Sequence, residues 1–313
     1  MKRATISPTP SATAPLVAAA LAFGLAGATH AQDAPETPFD GFVERPDGAR
    51  IHYTVHGEGD PVMLIHGYPL NAGLFRDNVD AIVEAGYSVV TPTLRGFGQS
   101  EAPTDSASID AYSDDMLALM DELRIADGNA IALGMSMGGW TLFDMVDKAP
   151  ERFRALAFND TAAVPAPIAE AALWNGLAEQ VREEGVNQAY ADFLIKDMFT
   201  GTTRTNDTDL VEYIGGLMQE ASVEGAAGGA VALAERPDLT GVLGKIEVPT
   251  LFLFGLEDTL TPASLATTMG EQVEGSTVEI VEGASHALVL EAPEKANEAI
   301  VGWLETVEDA EAE

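Results

Sequence analysis

The 313-residue sequence predicts an α/β fold, a mostly parallel, doubly wound sheet carrying an inserted helical cap. Three observations predict it. Short, continuously apolar segments, such as 61–65 and 250–254, alternate with segments of helical periodicity; strands apolar on both sides require helices over both faces. Between about 160 and 244 the alternation stops and helical patterns follow one another, too many for an ordinary strand crossover. A glycine-flanked serine stands where one apolar strand meets a helix.

Taken in order, residues 1–31 read as an export signal: Lys2 and Arg3, an apolar run from Leu16 to Ala28, and small residues around His30. Cleavage would start the mature chain at Gln32, in the periplasm or outside the cell. The run is short for a bilayer span, which needs about 20 apolar residues; an uncleaved N-terminal anchor is the alternative. A polar leader, 32–38, precedes two β-like segments, 39–45 and 50–56, joined by the Pro46-Asp47-Gly48 turn signal. Strand 61–65, a helix over 75–85, strand 87–90, a helix over 110–123, strand 129–133, a helix over 137–148 and strand 155–158 make the first part of the core. The cap follows, with helices over 168–184, 186–199 and 207–221 and the Gly/Ala-rich stretch 225–233. Strands 250–254 and 277–281 and a helix over 293–307 complete the core, and the acidic residues 308–313 read as a disordered tail.

Composition excludes several classes. With a net charge of −34 and only five lysines, the surface repels phosphate backbones and anionic lipid. Losing residues 1–31 would remove two basic groups and no acidic one. Salt would relieve the resulting self-repulsion, which makes a saline habitat a plausible origin of the charge. The absence of cysteine rules out disulfides and thiolate metal sites, and no His/Asp/Glu cluster has metal-ligand spacing. No cofactor is expected.

The chemistry centres on Gly134-Met135-Ser136-Met137-Gly138-Gly139, a G-x-S-x-G turn between a buried strand and an apolar helix. The turn lifts Ser136 Oγ out of the sheet edge and sets it at a helix N-terminus, where N–H groups favour developing negative charge. A serine hydroxyl needs a base. His286, after the last strand, fits that part, with Asp258, after strand 250–254, as the acid that orients it. The chain order Ser, Asp, His suits this architecture, and both candidates lie at C-terminal strand ends, where open α/β sheets place their sites. Asp160 competes with Asp258 for the acid role. His66-Gly67-Tyr68-Pro69 follows strand 61–65. Pro69 has no N–H, so the backbone N–H of Tyr68, with that of Met137, forms the candidate oxyanion hole.

The pairing of His66-Gly67-Tyr68-Pro69-Leu70 with Arg95-Gly96-Phe97-Gly98-Gln99-Ser100 and the Ser136 turn resembles the α/β-hydrolase superfamily over nearly the whole chain, about 39–307. It is similar to the branch of serine carboxylesterases and cofactor-free haloperoxidases (perhydrolases). Epoxide hydrolases and haloalkane dehalogenases share the His-Gly-x-Pro loop but use Asp as nucleophile, and Ser136 argues against both. Thr93 departs from the resemblance, many members having Asp before Leu-Arg-Gly, and Arg95 then reads as a brace. The resemblance implies hydrolysis of a carboxylic ester through an acyl-enzyme on Ser136, and the helical cap and few cationic residues point to a small, largely apolar one rather than a polymer or an anion. Perhydrolysis, lactone opening, C–C bond hydrolysis on the same residues and a non-catalytic binding protein are the alternatives. Trp174, Phe193, Met198, Phe199 and Met218 read mostly as cap core, and Trp140 as packing under the site.

Overall fold

The structure, a computed structural model, describes residues 37–312. The export signal and most of the polar leader therefore lie outside the described residues. The chain opens with an antiparallel pair, β1 (Phe39–Glu44) and β2 (Arg50–His56). The core strands are β3 (Pro61–Ile65), β4 (Ser88–Pro92), β5 (Ala130–Met135), β6 (Phe153–Asn159), β7 (Thr250–Gly255) and β8 (Thr277–Val281). They form one eight-stranded sheet in the order β1-β2-β4-β3-β5-β6-β7-β8, in which β1/β2 and β2/β4 are antiparallel and the rest parallel.

Every residue of β3, β4, β5 and β7 is buried, so both faces are covered. The covering helices are α1 (Val79–Glu84), α2 (Ile109–Glu122) and α3 (Met137–Lys148), with α10 (Ser264–Gly270), α11 (Leu288–Glu291) and α12 (Pro293–Ala312) after the cap. α2 packs on α3, and α1 packs on α12. Phe143 of α3 stacks on Phe158 of β6, whose ring stacks in turn on Phe252 of β7. β8 departs from the buried pattern because it is the sheet edge, with Thr277, Glu279 and Ile280 exposed.

Between β6 and β7 the chain is helical: α4 (Ile168–Glu184), α5 (Gln188–Met198), α6 (Gly201–Asn206), α7 (Thr208–Gln219), α8 (Val223–Ala234) and α9 (Thr240–Leu243). This is the expected cap. The Gly/Ala-rich stretch proves to be α8, whose small residues let it sit on α4 and on the loop after β4. A Cβ on Gly225 would collide with the Gly96 backbone. Ser222 N–H and Oγ both donate to the Gly96 carbonyl, at 2.9 and 3.0 Å, and fix that seat.

Two expectations change. The helix expected over 75–85 splits into a short turn of 3₁₀-helix, Ala72–Phe75, and α1, with Asn71 capping the turn through Gly73 N–H at 2.9 Å. The acidic tail is not wholly disordered: α12 runs on to Ala312, because Ala and Glu are good helix formers and outweigh the unfavourable negative charge at the helix end.

Candidate active site

The connection leaving β3 runs to β4 on one side and that leaving its neighbour β5 runs to β6 on the other, which opens a crevice at the C-terminal ends of β3 and β5. Ile65, the end of β3, pairs with Gly134, two residues before Ser136. The loops after β3, β5, β6, β7 and β8 consequently gather at one edge of the sheet.

Ser136 has φ 51° and ψ −117°, a strained conformation for a residue with a side chain. It is held there: Ser136 N–H donates to Asn159 O at 3.0 Å, and Ser136 O accepts from Gly139, Trp140 and Thr161 Oγ1. A Cβ at Gly138 would collide with the Ile65 carbonyl, which is the steric demand read from the sequence.

His286 Nε2 lies 2.9 Å from Ser136 Oγ, and His286 Nδ1 lies 2.8 Å from Asp258 Oδ2. A carboxylate only accepts, so Nδ1 carries the proton and Nε2 accepts from the serine hydroxyl. Asp258 and His286 are 4% and 2% exposed, so the relay is shielded from water. Burial alone pushes the Asp258 pKa up, but the adjoining His286 and the donors of Thr261 bring it below the ordinary carboxylate value. Those donors were not foreseen: Thr261 Oγ1 reaches Asp258 Oδ2 at 2.6 Å, and Leu260 and Thr261 N–H reach Oδ1 at 2.8 and 3.1 Å. The spacing Asp258-x-x-Thr261 is the signal for such a turn. The loop bearing His286 is pinned by carboxylates on its backbone: Glu257 accepts from Gly283 and Ala284, and Glu291 from Ser285.

Asp160, the competing acid, is fully buried and accepts from Gly255 N–H at 2.8 Å and Asn159 Nδ2 at 2.9 Å. Burial first, and the Asp258 charge second, push its pKa well above the carboxylate range. It is a neighbour of the relay; Asp258 is the carboxylate on His286.

Tyr68 lines the cavity beside Ser136 and His286, and a Cβ on the preceding Gly67 would press on the side chains of Met135 and Ser136. Of the sequence-predicted oxyanion residues, Tyr68 lies in this loop and Met137 is the first residue of α3, whose N–H has no carbonyl one turn back within the helix. His66 braces the loop: Nδ1–H donates to Gly67 O and Nε2 accepts from Leu94 N–H, both at 2.9 Å. Burial lowers its pKa to about 4, which keeps this neutral tautomer. Arg95 is the brace expected of it, 3% exposed, with a bidentate pair to Asp115 at 2.7 Å and a bond to Asp47 at 2.6 Å.

Above this relay is a cavity of about 300 Å³, roofed by α4, α5 and α8. Its apolar wall includes Trp140, Trp174, Leu177, Phe193, Met198 and Leu233. Trp140, expected only to pack, reaches the cavity as well. Of the cap residues read as core, Phe199 and Met218 are core, while Trp174, Phe193 and Met198 line the cavity. Arg236 and Glu170 also line it, which the sequence did not reveal because partners 66 residues apart carry no local signal. Among the described residues no group of three or more His, Asp or Glu is placed to hold a metal ion, and no helix is long and apolar enough to cross a membrane.

A serine hydroxyl on a shielded His–Asp pair, at the floor of an apolar cavity and the edge of a parallel sheet, is an arrangement that can perform acyl transfer. The family model for the alpha/beta hydrolase fold matches residues 60–293. The chain belongs to this family. Among α/β hydrolases it is 31% identical over 252 residues to 3-oxoadipate enol-lactonase 2 of Acinetobacter baylyi, covering 80% of this chain and 91% of the relative. It is 28% identical over 257 residues to the non-heme chloroperoxidase CPO-A1 of Kitasatospora aureofaciens, covering 78% and 91%. A thermophilic esterase from Thermogutta terrifontis superposes with a TM-score of 0.80 at 30% identity, over 85% of this chain and 97% of that one.

Proposed function

We propose that this α/β hydrolase cleaves a small, largely apolar carboxylic ester through an acyl-enzyme on Ser136. The observation that carries the reading is the relay from Ser136 Oγ through His286 to Asp258, at 2.9 and 2.8 Å, opening on an apolar cavity. His286 takes the serine proton as Oγ adds to the ester carbonyl, and the N–H groups of Tyr68 and Met137 receive the oxyanion. The imidazolium then protonates the departing alcohol. Water then adds to the acyl carbonyl as it gives a proton to the same nitrogen, and the imidazolium returns that proton to Ser136 Oγ as the acyl–Oγ bond breaks and the acid leaves. The likeness to an esterase at 30% identity supports ester chemistry. Lactone opening is the second reading, favoured by the enol-lactonase relative, since a lactone is a cyclic ester open to the same steps. The basic pair and apolar run of residues 1–31 support export; N-terminal sequencing of the exported protein should start at Gln32, and an intact Met1 on a membrane-bound product would contradict cleavage.

A fluorophosphonate probe and p-nitrophenyl acetate test the catalytic reading on wild type and Ser136→Ala. Labelling and turnover should both vanish in the variant. Absence of both in wild type, at low and high salt, would favour a binding protein of the same fold.

A further inference from the structure

Among the described residues, Arg236 is the one arginine lining the active-site cavity; it is 5% exposed, and each of its guanidinium nitrogens is engaged. Nη1 and Nη2 donate to the two oxygens of Glu170 at 2.7 and 3.0 Å, Nη1 also to Leu233 O at 3.0 Å, and Nε to Val164 O at 3.3 Å. The guanidinium carbon lies 4.4 Å from the centroid of the Trp140 ring. Trp174 Nε1 donates to Glu170 as well, at 3.0 Å. Burial pushes the Glu170 pKa up, but the bonds from Arg236 and Trp174 more than offset it, and the carboxyl stays ionised at neutral pH. Asp197 adds a second, exposed carboxylate to the lining. A paired fork of this geometry is the arrangement that receives a substrate carboxylate elsewhere in proteins, and here an internal carboxylate already fills it.

We infer that the cavity selects esters whose acyl part is uncharged, and that Glu170 sets this selectivity by occupying Arg236. A substrate carboxylate meets Glu170 and Asp197 and finds the guanidinium taken. A neutral acyl chain meets Trp140, Trp174 and Leu177. With Glu170 made neutral, Arg236 becomes a free receptor for anionic acyl groups. The inference rests on the serine-ester reading above and names its substrate class.

The test compares methyl 4-nitrophenyl succinate, a neutral diester, with 4-nitrophenyl hydrogen succinate, which differs by one methyl group and one charge. Both are assayed at low salt and at about 1 M NaCl, where a Debye length of about 3 Å removes the general repulsion of an acidic surface. Wild type should prefer the diester by at least about tenfold in kcat/KM at both salts, the scale of a charge penalty in a partly buried site. Glu170→Gln should cut that preference about tenfold or reverse it, and Glu170→Gln with Arg236→Gln should lose the gain. A smaller wild-type preference at high salt overturns the inference even if neither variant folds. So does a preference unchanged by Glu170→Gln, or a gain that survives loss of Arg236. No turnover of the diester at all would sink the serine-ester reading itself, a result distinct from a flat ratio between two measurable rates.

Discussion

Thr261 sits one hydrogen bond behind the relay, its hydroxyl on Asp258 Oδ2 at 2.6 Å and 3.2 Å from His286 Nδ1. Hydrogen bonds to charged groups contribute about 1.5–3 kcal/mol, so Thr261→Val should lower kcat roughly tenfold to a hundredfold. KM should change little, and steady-state kinetics on p-nitrophenyl acetate separates the two. His66 makes a prediction about stability. Its folded pKa, about 4, is below the ordinary 6.5, so the stability it contributes is present above pH 6.5 and is lost as pH falls through about 4. The difference corresponds to about 3 kcal/mol. Buried His52 and half-buried His56, also lowered by loss of solvation, act in the same direction. Urea titrations should therefore show a steady loss of stability between those pH values, with a shallower slope in His66→Asn. At this scale the sequence exposed Ser136, Asp258 and His286, which the fold brings into hydrogen-bond contact, because strand ends and turn glycines mark them locally. It did not expose Arg236 and Glu170, which meet only through the fold.

Tyr68 is one of the side chains that join the cap to the loop after β3, beside Asn71, which donates to Glu220 at 2.7 Å. Tyr68 Oη donates to Ala226 O of α8 at 2.9 Å and accepts from Tyr190 Oη of α5 at 2.8 Å, while Trp174 of α4 packs edge-on against its ring. The cap thus helps hold the residue whose N–H is assigned to the oxyanion. Tyr190→Phe removes one buried hydrogen bond of about 0.5–1.5 kcal/mol and should lower kcat by about twofold to tenfold, more than it raises KM. An effect confined to KM would place Tyr190 in substrate binding alone. Arg95 ties the loop after β4 to α2 through Asp115, which Arg45 also contacts at 3.0 Å. Breaking such a buried pair costs about 3–5 kcal/mol, and Arg95→Met should show it in chemical denaturation while residual folded enzyme keeps its KM. Helix and strand order followed the hydrophobic pattern closely. Short helices such as α6 and α11 escaped it, since four to six residues carry too little periodicity to read.

Across the molecule, 50 acidic residues face 16 basic ones. Self-repulsion of this size opposes compaction and is screened by ions, so the melting temperature should rise from low salt to about 1 M NaCl, where the Debye length falls to about 3 Å. A melting temperature indifferent to salt would mean that local ion pairs, such as Lys148 with Asp110, Asp114 and Asp144, already absorb the repulsion. The doubly wound sheet and its cap were legible as a whole because burial on both faces of the strands leaves few alternatives. A pocket under the cap was legible too, but not which residues line it, because the lining is assembled from α3, α4, α5, α8 and the strand-end loops at once.

The most direct test of the covalent intermediate is to quench p-nitrophenyl acetate turnover with acid and map the acylated residue by peptide mass spectrometry. One acetyl group on the peptide containing Ser136, absent from Ser136→Ala, is the predicted result. Turnover at the wild-type rate in Ser136→Ala, or an acetyl group on another residue alone, would contradict it.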